Sequence, residues 1–318
     1  KYFIIYVVSN FIGNISLWLY IPKVLDKIKI KELKPLQHLK PTIGLFIPQI
    51  AIQVYTLLDK VMIGVIIDDK SEVGYYDQAQ KIIKMLLTVV TSLGTVMIPR
   101  MANTFANGNM KQIKEYMKKS FRFVYILSIP MIFGIIAVAD KFVPVFFGDG
   151  YEKVSIIMKV ISPILLVIGL SNVIGSQYLL PTKRQKEFTI SVTCGAIANF
   201  IVNFIMIRKY GAIGASIGTV IAETIVATIQ IYFVRKDFNT KECLSISQNY
   251  IIVGIVMFFI VILIGLTVKN NLVSIMLQGV SGAIIYIIGL YVVKDEFLVQ
   301  LLKNGNNKIR KNKNVTEN

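Results

Sequence analysis

Nine long apolar stretches constrain this chain more than any other feature of its sequence. Each contains about 20 mostly apolar residues, the length that an α-helix needs to cross the hydrocarbon core of a bilayer. Backbone polar groups cannot be left without partners in lipid, so such stretches must be helical. The sequence therefore predicts an all-α fold, a polytopic transmembrane helical bundle. The predicted spans are 2–21, 43–66, 82–99, 120–139, 155–179, 188–207, 212–234, 250–268 and 272–293.

The composition excludes most functions of soluble proteins. Hydrophobic residues make up 54% of the chain and charged residues only 17%, although the formal net charge is +17. Such a composition cannot cover the polar, basic surface of a nucleic-acid-binding domain. The two cysteines are far apart, the single histidine lies in a Lys-rich loop, and no phosphate-binding or dinucleotide-binding loop is present. We therefore expect no nucleic-acid partner, no metal site and no enzymatic activity.

The basic residues are concentrated in alternate loops. One set of loops holds 24 Lys and Arg residues against nine acidic ones, whereas the other set holds eight against seven. By the positive-inside rule the first set faces the cytoplasm. We therefore expect a multi-pass membrane protein with a cytoplasmic C-terminus. The predicted cytoplasmic segments are 22–42, 100–119 with Arg122 beside it, 180–187, 235–249 and the residues after 293.

The second predicted span carries a polar stripe. Its members are spaced 4-3-4, which places them within a narrow arc of a helix. Lipid would not tolerate that face, so it should look into a protein interior or a water-filled cavity. We predict that it lines a substrate path. The stripe consists of Gln49, Gln53, Thr56 and Lys60.

Ionisable residues within other predicted spans are candidates for function, because they are costly in a membrane. Asp59 adjoins the polar stripe; it is expected either to form a structural ion pair with Lys84 or to serve ion coupling. Lys84 is otherwise a candidate for the cavity lining. Glu223 lies at mid-span, where it would bind a proton or cation, or else hydrogen-bond to a neighbouring helix such as the one that bears Asn199 and Asn203. Those two asparagines are either packing residues or part of the cavity lining.

Several segments resemble the bacterial polysaccharide flippases of the multidrug/oligosaccharidyl-lipid/polysaccharide exporter superfamily. The likeness rests on the order and spacing of the segments, and it extends over essentially the whole chain. The segments are Tyr55–Gly64, Val73–Lys81, Val96–Arg100, Phe147–Tyr151, Asn199–Asn203 and Tyr210–Ala215, together with Glu223.

The resemblance implies a fold of fourteen helices in two lobes, of which this chain would supply the sixth to the fourteenth. The absence of an initiator Met and the odd number of spans agree with that expectation. The implied parts are the last helix of the N-lobe at 1–22 and a cytoplasmic linker at 23–42. The six-helix C-lobe follows at 43–234, then two additional helices at 250–293 and a basic cytoplasmic tail at 294–318.

The function implied by the resemblance is translocation of undecaprenyl-diphosphate-linked oligosaccharide from the inner to the outer leaflet. The implied partners are that lipid-linked oligosaccharide, membrane lipids and the proteins that polymerise or assemble the polysaccharide. The implied mechanism is ion-coupled alternating access, with H⁺ or Na⁺ as the ion and without another cofactor. The alternatives are a multidrug exporter or a peptidoglycan-precursor flippase of the same superfamily, and a non-transporting membrane scaffold or channel subunit.

Overall fold

The computed structural model describes residues 2–20, 39–239, 243 and 245–299, and within these ranges every regular element is a helix. The predicted all-α polytopic fold is confirmed. The chain divides into two compact units, Lys1–Phe46 and Ile47–Asn318. Most of the predicted linker 23–42 and of the tail 294–318 lies outside the described residues.

Twelve helical elements make up the described part of the chain. Seven single or composite helices in that part are long and apolar enough to cross a membrane. Helices α1 and α2 occupy the two other predicted spans. The elements are α1 (Tyr2–Trp18), α2 (Leu39–Ile66), α3 (Ser71–Thr91), α4 (Leu93–Ala106), α5 (Met110–Phe147), α6 (Glu152–Ile161), α7 (Ile164–Ser171), a π-helix (Asn172–Leu179), α8 (Gln185–Tyr210), α9 (Ala212–Val234), α10 (Ser247–Thr267) and α11 (Asn271–Val292).

Two spans are composite, because local sequence interrupts the regular hydrogen-bond ladder. Helices α3 and α4 form one span that is broken at Ser92, whose hydroxyl bonds to the Val89 carbonyl at 2.8 Å. Helices α6, α7 and the π-helix form a second span, in which Pro163 separates α6 from α7. Serine and proline in these positions remove or divert helical hydrogen bonds, and both are common causes of bends.

Small residues bring α8 and α9 into close contact. A Cβ added to Gly214 would lie 2.1 Å from the Met206 carbonyl oxygen, and one added to Gly218 would lie 2.0 Å from Asn203 Oδ1. Gly214 and Gly218 are four residues apart, a spacing of small residues that allows two helices to approach closely. The contact also fixes the position of Asn203, since Gly218 leaves room for its amide between the helices.

Helices α10 and α11 pack against each other and against α5. One apolar core lies among α5, the π-helix and α10, around Met117, Tyr125 and Tyr250. A second core lies among α3, α6 and α7, around Tyr76 and Ile157. These cores bury one face of α3, so that the opposite face of the same helix is left open.

Candidate functional site

The polar stripe predicted on α2 is present on a partly open face. Gln53 is exposed, and Thr56 and Lys60 are partly buried. The Thr56 hydroxyl donates to the Ile52 carbonyl at 2.9 Å, which satisfies its proton within the helix. Gln49 lies on the same helix, but its side chain is outside the described part of the chain.

A second polar stripe runs along α3, and sequence reasoning missed it. Asp77, Lys81, Lys84 and Thr88 repeat the 4-3-4 spacing of the α2 stripe, and all four side chains are exposed or partly exposed. The periodicity was visible in the sequence. The predicted spans 43–66 and 82–99 place Asp77 and Lys81 in the loop between them, whereas α3 already begins at Ser71.

An ion-pair bridge joins the two stripes. Lys60 Nζ on α2 pairs with Asp77 Oδ1, and Lys81 Nζ lies 2.8 Å from Asp77 Oδ2. The two stripes therefore look to the same side of the molecule. We call this surface the cationic face; it consists of Gln53, Thr56, Lys60, Asp77, Lys81, Lys84 and Thr88.

The expected Asp59–Lys84 ion pair does not form. Lys84 is exposed on the cationic face, and its ammonium group has no ion-pair or hydrogen-bond partner within the described ranges. Asp59 is completely buried on the other side of α2. Successive residues of a helix are separated by about 100°, so Asp59 and Lys60 point to different environments. Lys84 thus keeps its charge free toward the open face.

Asp59 is held by hydroxyl and amide groups from three other helices. Its carboxylate accepts hydrogen bonds from Tyr76 Oη at 2.7 Å, Asn203 Nδ2 at 2.6 Å and Thr219 Oγ1 at 3.0 Å. Gln80 Nε2 in turn donates to Tyr76 Oη at 2.7 Å. None of the described basic residues pairs with Asp59.

Glu223 lies one turn further along α9 than Thr219 and is also buried. Its Oε1 accepts a hydrogen bond from Tyr55 Oη at 2.6 Å. The alternative of a hydrogen bond to a neighbouring helix agrees with the structure, although the partner comes from α2 and not from the helix of Asn199 and Asn203. Sequence reasoning missed Tyr55 and Tyr76, because no helical periodicity reports on contacts between distant segments.

Asn199 and Asn203 are fully buried, so neither lies on the cationic face where a cavity lining was expected. Asn203 Nδ2 lies 3.1 Å from Asn199 Oδ1, in addition to its bond to Asp59. The close packing of α8 on Gly218 explains why these polar groups turn inward. We call the buried group the carboxylate cluster; it consists of Tyr55, Asp59, Tyr76, Asn199, Asn203, Thr219 and Glu223.

Three polar atoms in and beside the carboxylate cluster lack a hydrogen-bond partner in the part of the chain that the structure describes. They are Asn203 Oδ1, Asn199 Nδ2 and Gln80 Oε1. Buried polar atoms in proteins almost always have a hydrogen-bond partner, so these three remain available for further bonds. Two of the three are amide carbonyl oxygens, which are hydrogen-bond acceptors and ligands for hard cations.

A wide apolar groove of about 890 Å³ runs beside the cationic face, between α3, α5 and α11. Its walls include Met85, Phe123, Pro130, Phe146 and Ile287. Lys84 and Met85 are adjacent in the sequence, yet one lies on the cationic face and the other lines the groove. Helix α3 therefore presents a charged surface and an apolar channel to its two sides at the same height.

Comparison with known proteins defines the class of this molecule. The chain matches the family model described as polysaccharide biosynthesis protein over residues 3–156. It is 26% identical to a putative O-antigen transporter of Escherichia coli K12, over 60% of this chain and 46% of that protein. It is 22% identical to the probable low-salt glycan biosynthesis flippase Agl15 of Haloferax volcanii, over 73% of this chain and 49% of that protein.

A solved structure of the lipid II flippase MurJ in its inward closed conformation has the same fold. The TM-score is 0.71 at 21% identity, over 90% of this chain and 61% of that one. A multidrug resistance transporter of the MATE family, in its outward-facing conformation, gives a TM-score of 0.54 at 14% identity, over 81% of this chain and 65% of that one. The chain spans about half the length of the curated relatives it matches.

Fold and comparisons together define a multi-pass helical membrane protein, similar to transporters and flippases rather than to enzymes. The predicted resemblance to polysaccharide flippases is confirmed by the family model and by the relatives named as an O-antigen transporter and a glycan flippase.

Proposed function

We propose that the protein translocates an undecaprenyl-diphosphate-linked oligosaccharide from the inner to the outer leaflet of the bacterial cell membrane, for synthesis of cell-surface polysaccharide. The relatives named as an O-antigen transporter and a glycan flippase support this class of substrate. We further propose that transport proceeds by alternating access and is coupled to H⁺ or Na⁺.

The observation that carries the proposal is the cationic face. Lys84 offers an ammonium group without a counter-ion among the described residues, and Lys60 and Lys81 lie on the same surface. Charge-assisted hydrogen bonds from lysine are well suited to the oxygens of a diphosphate. Gln53 and Thr88 supply the amide and hydroxyl groups that sugars require. An anionic headgroup that carries sugars therefore matches both kinds of group on this face.

The groove supplies the second part of the substrate site. A polyprenyl chain is entirely apolar, and the groove walls on α3 and α5 are apolar as well. Because Lys84 and Met85 point about 100° apart on the same turn of α3, a headgroup on the cationic face and a tail in the groove are held by one helix. This amphipathic arrangement favours a lipid-linked anion over a soluble one.

The carboxylate cluster fits a coupling ion. Asp59 and Glu223 are buried without a described basic partner, and their contacts are hydroxyl and amide groups. Buried carboxylates of this kind in membrane helices serve as proton or cation sites. Asp59 with the amide oxygen of Asn203 and the hydroxyl of Thr219 would hold Na⁺, and Glu223 beside Tyr55 would hold a proton. Because Asp59 and Lys60 are adjacent on α2, an ion in the carboxylate cluster and a headgroup on the cationic face both contact the same helix.

Lys84→Met in the intact protein tests the proposed function. We expect translocation of undecaprenyl-diphosphate-linked oligosaccharide into proteoliposomes to fall by about 10- to 100-fold, which is the size of one lost charge-assisted hydrogen bond. Complementation of a flippase-deficient strain should fail in parallel.

Lys269→Met is the matched control, because Lys269 is exposed in the short connection between α10 and α11, away from the cationic face. It should leave translocation within about twofold of wild type, as surface substitutions usually do. Wild-type translocation by Lys84→Met would contradict the proposal.

A further inference from the structure

Asp77 is the one acidic residue described on the cationic face. Its two carboxylate oxygens contact different lysines: Oδ1 pairs with Lys60 on α2, and Oδ2 lies 2.8 Å from Lys81 on α3. The carboxylate thus bridges two ammonium groups from two helices. A phosphoryl group, which also presents several acceptor oxygens, would make the same two contacts.

The bridge is open to the cationic face. The Lys60 and Asp77 side chains are 34% and 27% exposed, and that of Lys81 is 64% exposed. Ion pairs at this level of exposure contribute little, about 0.2–1 kcal/mol each, because water screens them and the side chains lose entropy. Asp77 is therefore held loosely enough for an incoming anion to displace it.

Charge on the face explains why such a residue is useful. With Asp77 ionised, Lys60 and Lys81 are both partly neutralised, and Lys84 remains the free cation. Without Asp77, three lysines on two adjacent helices would hold a diphosphate together. Such a site would bind its ligand tightly and release it slowly, whereas a transporter must release its substrate in every cycle.

We propose that the Asp77 carboxylate is a competitor of the anionic headgroup for the same two lysines. It pairs with Lys60 and Lys81 when the cationic face is empty, and it pairs with them again as the diphosphate leaves. Lys84 makes the first contact with the headgroup, which then displaces the Asp77 carboxylate. This inference rests on the proposed function and names the residue that sets affinity and release at the same site.

The competition also selects among anions. A ligand with a single negative charge gains little by exchanging places with a carboxylate. A diphosphate diester carries a charge on each phosphoryl group, so it can contact Lys84 and one of the bridged lysines at once. Asp77 thus lowers the affinity of the cationic face for monoanionic lipids, which are abundant in the membrane, more than it lowers the affinity for the diphosphate.

Asp77→Asn in the intact protein tests this role. The amide keeps the shape of the side chain but removes its charge, and the partly exposed position makes misfolding a minor concern. We expect the affinity for undecaprenyl diphosphate in lipid nanodiscs to rise by roughly three- to tenfold, the equivalent of one or two weak ion pairs. The selectivity over a monoanionic lipid, phosphatidylglycerol, should fall, and multiple-turnover translocation should slow while the first turnover is retained.

Two further variants serve as controls. Asp77→Glu restores the charge and should bring affinity and turnover back toward wild type. Asp68→Asn removes the same charge from the exposed outer loop, where the described residues offer Asp68 no hydrogen-bond partner, and it should change neither quantity. If Asp77→Asn binds undecaprenyl diphosphate no more tightly than Asp68→Asn, the competitor role is wrong and the proposed function stands. If wild type itself fails to bind undecaprenyl diphosphate, the proposed function fails and this inference fails with it.

Discussion

Adjacent residues on α2 face chemically different surroundings. Asp59 is buried among hydroxyl and amide groups, whereas Lys60 reaches the open cationic face and pairs with Asp77. A rotation or tilt of α2 changes both environments together, because the helix backbone is stiff over one turn. Coupling between an ion in the cluster and a headgroup on the face therefore needs no pathway longer than one peptide bond.

Glu223→Gln should remove the response of transport to an ion gradient. Glutamine keeps the size of the side chain and its hydrogen bond from Tyr55, but it cannot bind or release a proton. We expect substrate binding to remain within about twofold and gradient-driven translocation to fall by at least about tenfold, since a coupling of 1.4 kcal/mol corresponds to a factor of ten. The measurement is translocation into proteoliposomes with an imposed pH gradient or an imposed Na⁺ gradient.

Asp59→Asn in the same assay separates the two ions. Loss of the pH-gradient response in Glu223→Gln and of the Na⁺-gradient response in Asp59→Asn would assign the proton to one carboxylate and the cation to the other. Glu115→Gln, at an exposed position in the second turn of α5, is the control and should keep both responses. Wild-type responses of both cluster variants would refute ion coupling at this site.

Two interruptions of helical geometry meet at one level of the bundle. The break at Ser92 is followed by Gly94, which packs against Asn172 at the start of the π-helix. Gln177 of the π-helix donates to Asn172 Oδ1 at 3.1 Å and accepts from Ser120 of α5 at 2.8 Å. The second of these hydrogen bonds thus connects the π-helix with α5, and Gly94 of the α3–α4 span packs against the same Asn172 and Gln177 side chains.

Gly94→Ala should destabilise this junction. A Cβ at position 94 would lie 2.8 Å from Asn172 Oδ1, so the Asn172–Gln177 pair must move or break. Overpacking of a buried contact costs about 1–3 kcal/mol, and we expect a clear decrease in Tm measured by thermal unfolding of the detergent-solubilised protein. Gly74→Ala is the matched control on α3, since nothing lies within 4 Å of a Cβ there. That variant should be neutral or slightly stabilising, and an equal Tm for the two variants would contradict the packing argument.

The general architecture of the molecule could be predicted from local sequence, but the contacts of its polar residues could not. Local patterns can be recognised within a single segment, and the structure agrees with them. They are the span length, the 4-3-4 stripe on α2 and the spacing of the paired glycines 214 and 218. The partners of Asp59 and Glu223 come from other segments of the chain, and two of them are tyrosines, Tyr55 and Tyr76, whose positions follow no polar periodicity. The Asp59–Lys84 pair was a plausible choice between neighbouring spans, yet it depends on the rotation of both helices, which their periodicity leaves open.

The sidedness of the molecule follows from its loop charges and can be tested directly. The loops predicted to be cytoplasmic hold 24 Lys and Arg residues, against eight in the opposite set. The positive-inside rule therefore places the connection 67–70 outside and the connection 107–109 inside. Asp68 and Asn107 are exposed in these two connections, so each accepts a cysteine without loss of packing.

In a variant with Cys194 and Cys243 replaced by Ala, Asp68→Cys should react with a membrane-impermeant maleimide added to intact spheroplasts. Asn107→Cys should react only after the membrane is permeabilised. The reason is that translocating the basic 100–119 segment across the membrane is disfavoured, whereas the connection 67–70 carries two acids and one lysine. The reverse labelling pattern would show that the protein has the opposite orientation in the membrane. The headgroup would then have to reach the cationic face from the opposite leaflet, so the direction of transport proposed above depends on this measurement.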